Sequence, residues 1–162
     1  MSSLSSDSQP ETNYQVSLEL GRKLSAATVL FHAAVADRLG LNVTDLKCWD
    51  QLVISGPVTA GYLAEITGLT TGAVTGVVDR LEKAGFARRE RDHNDRRIVM
   101  VYPVLEKESQ VARLYAPLGR AMADLMQQFD PQEVRLFIGL IERAVEVLQL
   151  EALNLRQDAQ HE

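Results

Sequence analysis

Apolar residues recur three and four positions apart over most of the chain, which predicts a mainly helical protein. Over residues 14–39, Val16, Leu20, Leu24, Phe31, Val35 and Leu39 mark one face of a long helix rich in alanine, and Gly40 ends it. Asn42 or Thr44 caps a second helix with Leu46, Trp49, Leu52 and Val53 inward, stopped by Ser55-Gly56-Pro57. A short helix after Thr59 turns Leu63 and Ile66 inward and ends at Gly68. Thr70 then caps a run whose apolar positions are Val74, Val77, Val78 and Leu81, with Gly85 as its stop. Next the pattern changes period. Residues 86–91 and 98–102 read as strands, the second alternating Ile98, Met100, Tyr102 against Val99, Val101, around the turn-rich Asp92-His93-Asn94-Asp95. Helical spacing returns over 106–129 (Val111, Leu114, Tyr115, Leu118, Met122, Leu125, Met126), with Pro117 inside predicting a kink. A capping Asp130 followed by Pro131 and Glu133 starts a last helix, 131–150, with Val134, Phe137, Ile138, Ile141, Val145 and Leu148 apolar.

The two short central helices fit a helix-turn-helix. Small Ala64 allows a close crossing, and four residues later Gly68 supplies the turn conformation. The outer face of the second helix carries Thr71, Gly72, Thr75, Gly76 and Asp79, short side chains where an exposed helix normally shows long solvating ones. Two interior glycines cost about 1 kcal/mol each against alanine. Their presence suggests that a second body approaches this face, although tight packing against a neighbouring helix would use them equally.

Charge sharpens this picture. The chain of 162 residues carries a net charge of −5. Residues 1–59 hold four basic and six acidic groups, 60–104 seven and six, and 105–162 six and ten. Only the middle segment is not negative. Within it the hairpin sets Arg88, Arg89, Arg91, Arg96 and Arg97 against Glu90, Asp92 and Asp95. A charged hairpin is often only a solvated edge, but one that follows a helix-turn-helix is placed for phosphate or minor-groove contact. An acidic body with a locally basic head remains compatible with DNA binding, because phosphate neutralisation is local.

Residues 68–97, GLTTGAVTGVVDRLEKAGFARRERDHNDRR, resemble the recognition helix and wing of the multiple-antibiotic-resistance regulator (MarR) family of bacterial winged helix-turn-helix repressors. The likeness is carried by the V-D-R-L-E-x-x-G run from Val78 to Gly85 and by Asp95-x-Arg97, and it extends over roughly residues 14–150. It implies a homodimer on double-stranded DNA, one recognition helix per protomer in the major groove, and Arg97 in the minor groove with Asp95 orienting it. The expected DNA-binding set is Thr70, Thr71, Gly72, Thr75, Gly76 and Arg80 on the helix, with Arg88, Asn94, Arg96 and Arg97 on the wing. Of these, Thr71 and Thr75 face base edges or phosphates, and Arg88, Asn94 and Arg96 contact the backbone. Where the family closes the wing with Leu-Thr, this chain has VYPVLEKE, so Pro103 alters the join to the next helix. The family also implies a small aromatic or lipophilic effector, with His32, Trp49 and Tyr115 as candidate lining; ordinary packing would explain each of them as well.

The expected organisation is a disordered arm at 1–13, one protomer at 14–150, and a fraying polar tail at 151–162. Within the protomer, 41–104 is the winged helix-turn-helix, and 14–40 and 106–150 are dimerisation helices, since they hold more apolar surface than the head needs. A single cysteine, Cys48, excludes an internal disulfide, and its apolar neighbours argue against a thiol sensor. His32, His93 and His161 lack ligand spacing, so no metal or cofactor is expected. Serines cluster in the arm without an oriented histidine, so an enzyme is not expected either. No apolar run approaches the roughly 18 residues that span a bilayer, and the start lacks a leader pattern, which predicts a cytoplasmic protein without a membrane partner; the family resemblance implies a bacterial protein associated with the nucleoid when bound to DNA. A winged-helix protein-interaction module and a redox sensor at Cys48 are the rival readings.

Overall fold

A computed structural model describes residues 8–158. Among them are six helices, α1 (Ser8–Leu39), α2 (Val43–Ser55), α3 (Ala60–Thr67), α4 (Thr71–Lys83), α5 (Glu108–Met126) and α6 (Pro131–Asp158). Three short strands, β1 (Val58–Thr59), β2 (Ala87–Arg91) and β3 (Val99–Pro103), form an antiparallel sheet in the order β1-β3-β2. The expected fold class, mainly helical with a small hairpin, holds. The chain divides into two compact units, one up to Leu114 and one from Tyr115 onward.

The first unit has a continuous core. Leu46 and Leu52 of α2, Leu63 of α3, the whole apolar stripe of α4, Phe86 and Val101 are almost fully buried. Removing such side chains from water contributes roughly 1.5–3 kcal/mol each, so this cluster fixes how the three helices meet the sheet. Trp49 stands edge-on against Phe86, with ring centroids 5.5 Å apart and planes at 89°. Capping agrees with the expected starts: Asn42 Oδ1 accepts from the Asp45 N–H at 2.8 Å, Thr59 Oγ1 from Tyr62 N–H at 3.1 Å, and Thr70 Oγ1 from Ala73 N–H at 3.2 Å.

Several boundaries differ from the sequence reading. The helix expected at Tyr14 starts at Ser8, so residues 8–13 are not a disordered arm. Pro10 falls in the first turn, where its missing N–H is one of four donors without a helical partner anyway. Residues 1–7 of the expected arm lie outside the described residues. At the other end α6 continues through 151–158, where a fraying tail was expected, because Leu153 and Leu155 carry its apolar character past Leu150; residues 159–162 again lie outside. Strand β1 was not anticipated. It aligns Val58 with Val101 and Thr59 with Met100, and a two-residue strand is too short to show a period. Pro103 is the buried last residue of β3, opposite Ala87, beyond the reach of β1 on the other side. One turn of 3-10 helix at Leu105–Lys107 then makes the join that the VYPVLEKE departure left open.

The second unit holds Tyr115 onward. Its α6 opens as expected: Asp130 Oδ1 accepts from the Gln132 and Glu133 N–H groups at 2.7 and 3.0 Å, and Glu133 Oε2 accepts from the Asp130 N–H at 3.0 Å. Among its described residues none is buried, although Phe137, Ile138, Ile141, Val145 and Leu148 all point along this helix.

Candidate nucleic-acid interface

The turn between α3 and α4 is three residues long, and Gly68 takes the left-handed conformation there, with φ of 67°. Its N–H and that of Leu69 close the end of α3 onto Glu65 and Ala64 carbonyls. This sets α4 off with Val74, Val77, Val78 and Leu81 inward and Thr71, Gly72, Thr75 and Asp79 exposed. Thr75 donates its hydroxyl to the Thr71 carbonyl at 3.0 Å, which leaves its methyl and oxygen lone pairs facing out. Among the described residues a Cβ built on Gly72 meets no atom within 4 Å, so packing against a described neighbouring helix does not explain that glycine. Gly76 differs, because its Cβ would lie 3.4 Å from Arg80 Nη1.

The hairpin tip is built by side chain to backbone bonds. Asp92 Oδ1 accepts from the Asn94 and Asp95 N–H groups at 2.8 and 2.9 Å, and these bonds hold its carboxyl below the ordinary range. Asp95 in turn accepts from Arg97, through Nε at 3.0 Å, Nη2 at 2.9 Å and the backbone N–H at 3.0 Å. Its carboxyl is likewise depressed by that guanidinium. The Arg97 side chain is nevertheless 90% exposed, so it is oriented without being buried. Arg96 and Arg91 are exposed and make no ion pair with a described residue. Arg88 donates to Glu90 at 2.6 Å and lies 5.1 Å over the Tyr102 ring, which leaves it exposed but partly neutralised.

Two arginines depart from the expected roles. Arg80, expected among the DNA contacts, is turned back into the protein. Its Nε and Nη2 clasp the Asp45 carboxylate at 2.7–3.1 Å across 35 residues of sequence. Asp45 is 1% exposed, and a buried carboxylate needs this partner. That bond also raises the Arg80 pKa further. Arg89 was counted only toward hairpin charge, yet it bridges to α4. Nη1 donates to Asp79 at 2.7 Å and also to Glu82, Nη2 to the Thr75 carbonyl at 3.3 Å, and its backbone N–H to Glu82 at 2.7 Å. The signal available in the sequence was the pair Asp79 and Glu82, three apart on one helix face just ahead of a basic strand.

Of the candidate effector residues, Trp49 is a core side chain at 2% exposure, so it offers no surface to a crevice; its indole is engaged with Phe86. His32 is half-buried beside Phe31, its pKa lowered by burial and by Lys47, and Tyr115 is half-buried on α5. No group of described residues could hold a metal ion, and no single described helix is long and apolar enough to cross a membrane.

Cys48 is 1% exposed, and burial, with Asp45 nearby, pushes its thiol from 9.0 up to about 11. The expected result is that Cys48→Ser changes neither DNA binding nor its response to peroxide, and that iodoacetamide labels native protein at pH 8 far more slowly than urea-unfolded protein. Equal labelling rates would count against a buried thiol. Because the folded state holds this proton more tightly, its contribution to stability is complete below pH 9 and fades as pH rises toward 11.

Comparisons with known proteins agree with this geometry. A profile described as "MarR family" matches residues 41–99. The chain is 43% identical over 143 residues to the "uncharacterized HTH-type transcriptional regulator YcgE" of Bacillus subtilis (strain 168), covering 88% of this chain and 93% of that protein. It is 23% identical over 133 residues to a second regulator of that organism, YwaE, covering 82% and 78%. Among solved structures, a MarR family protein from Bacillus stearothermophilus superposes with a TM-score of 0.69 at 21% identity, over 87% of this chain and 96% of that one. Wild-type MarR from E. coli, in its apo form, gives 0.61 at 18% identity, over 78% and 93%. These structures share the winged-helix fold described above.

Proposed function

This chain belongs to the MarR family of DNA-binding transcription regulators, and from that premise we propose that it is a repressor that holds an inverted-repeat operator as a homodimer and is released by a small aromatic or lipophilic effector. The observation that carries the reading is the joint presentation of two exposed elements. One is an α4 face of short residues with an unexplained Gly72, and the other is the Asp95-held, 90% exposed Arg97. Thr70, Thr71, Gly72, Thr75 and Gly76 face the major groove in this reading, Arg97 enters the minor groove, and Arg88, Asn94 and Arg96 meet phosphates. Arg80 drops out of the set. The proposed organisation is a head at 41–104 flanked by self-associating helices, which places half-site centres about one DNA turn, roughly 34 Å, apart. The setting proposed is the bacterial cytoplasm, associated with the nucleoid when bound.

The test is titration of a duplex selected from a random-sequence pool, at several salt concentrations. Log affinity falls linearly with log salt if phosphates are neutralised. A protein-interaction module would show no such law. In the same assay Arg97→Ala weakens binding by about 1–3 kcal/mol while leaving the oligomer unchanged. Unchanged affinity would remove the wing from the interface. Effector release is read by titrating phenolic and lipophilic acids against the complex, and indifference to all of them would leave a regulator with another trigger.

A further inference from the structure

Of the five hairpin arginines, Arg89 is the one whose side chain is turned onto α4. Its side chain is 27% exposed, against 52% for Arg88 and 90% for Arg97. It sits at the centre of β2, paired with Val101 of the middle strand, so its backbone cannot drift without the sheet. From there one guanidinium reaches the Thr75 carbonyl, Asp79 and Glu82, while the Arg89 N–H holds the second oxygen of Glu82. The contacts span two turns of α4, from the residue that faces the groove to the end of the helix.

We propose that Arg89 is a positioning residue that locks the wing to the reading helix, so that Thr71 and Thr75 and the Arg97 tip meet their two grooves together. This deepens the DNA-binding reading above and rests on it. A phosphate role for Arg89 does not fit, because three of its five guanidinium donors are held by two carboxylates and a carbonyl, and those carboxylates would repel a phosphate brought to the same group. The bracket also covers Asp79, whose side chain is 61% exposed beside the reading face and would repel phosphate if left unpaired.

A positioning role makes a prediction that an independent contact does not. With the bracket intact, Arg97→Ala costs about 5- to 150-fold in duplex affinity. In an Arg89→Ala background the tip is no longer delivered, so the same Arg97→Ala change costs less than about 3-fold. The salt slope is the second readout. Arg97→Ala lowers it by about one, Arg89→Ala lowers it by the same amount because it withdraws the same tip, and the double variant lowers it no further.

The experiment is a four-member cycle of wild type, Arg89→Ala, Arg97→Ala and the double variant, by fluorescence anisotropy on the selected duplex, with folding verified by circular dichroism. Additive losses, or a salt slope that falls further in the double variant than in Arg89→Ala alone, overturn the proposal. Should Arg89→Ala fail to fold, Arg89→Lys keeps the charge but cannot span both carboxylates and the carbonyl, and the same two criteria apply. Adding Asp79→Asn and Glu82→Gln to Arg89→Ala removes the unmasked charge without restoring the bracket; recovery of full Arg97 dependence there would also overturn the proposal. Absence of salt-dependent binding by the wild-type chain would instead overturn the functional reading beneath it.

Discussion

Arg80→Ala is expected to destabilise the head by about 3 kcal/mol, read as a lower urea midpoint with an unchanged slope. The reason is the partner it abandons. Asp45 is 1% exposed and accepts two-pronged donation from Arg80, and breaking a buried pair by removing one member typically costs about 3–5 kcal/mol. The lower end applies here, because the Arg80 side chain is itself half exposed and water can partly replace it. Replacing both members with apolar residues, Asp45→Leu with Arg80→Met, should recover most of the loss, since nothing charged is then left in the core. A gel shift alone would misread this variant as a lost DNA contact. Measured where the protein is fully folded, its salt slope should equal that of wild type. A stability change below about 0.5 kcal/mol would mean that the clasp contributes nothing.

The same pair shows where sequence reasoning ended. The capped start of α4, its inward stripe and the left-handed Gly68 were legible, because each depends on residues within one or two helical turns. The Asp95 grip on Arg97 spans two positions and came with the family motif. Asp45 and Arg80 are 35 residues apart, and nothing local marks a first-turn aspartate as buried rather than solvated. On the helix, Arg80 therefore looked like a cation on the DNA-binding element. Arg89 was obscured in the opposite way. It sat in a run of arginines whose summed charge suggested phosphates, whereas the fold sets it against Asp79 and Glu82. Strand β1 was missed because its partner, β3, is about 40 residues away and its two residues carry no alternation. At both ends the composition misled: polar residues suggested loose tails where α1 and α6 continue.

Ile141→Asp combined with Val145→Asp is expected to convert the protein to a monomer and lower operator affinity by about 100-fold or more. From Tyr115 to Asp158 no described residue is buried, although α6 carries Phe137, Ile138, Ile141, Val145 and Leu148 along its length. A helix with that much apolar surface in water is normally covered, and contiguous exposed patches of this kind mark interaction surfaces. The two substituted positions lie one helical turn apart, so four carboxylates would enter the interface of a symmetric pair. Each costs several kcal/mol to bury without a partner. Loss of the second head then removes the gain from bivalent binding, about 10²–10⁴ in affinity, while each remaining head keeps its own contacts. The head core of Leu46, Leu63, Val77, Leu81 and Phe86 is untouched, so circular dichroism should still report a folded helical protein. Sedimentation separates the outcomes. A dimer that survives both aspartates places self-association elsewhere, for instance on the exposed Val16, Leu20 and Leu24 of α1. A monomer that binds the full operator as tightly as wild type would dispense with pairing altogether.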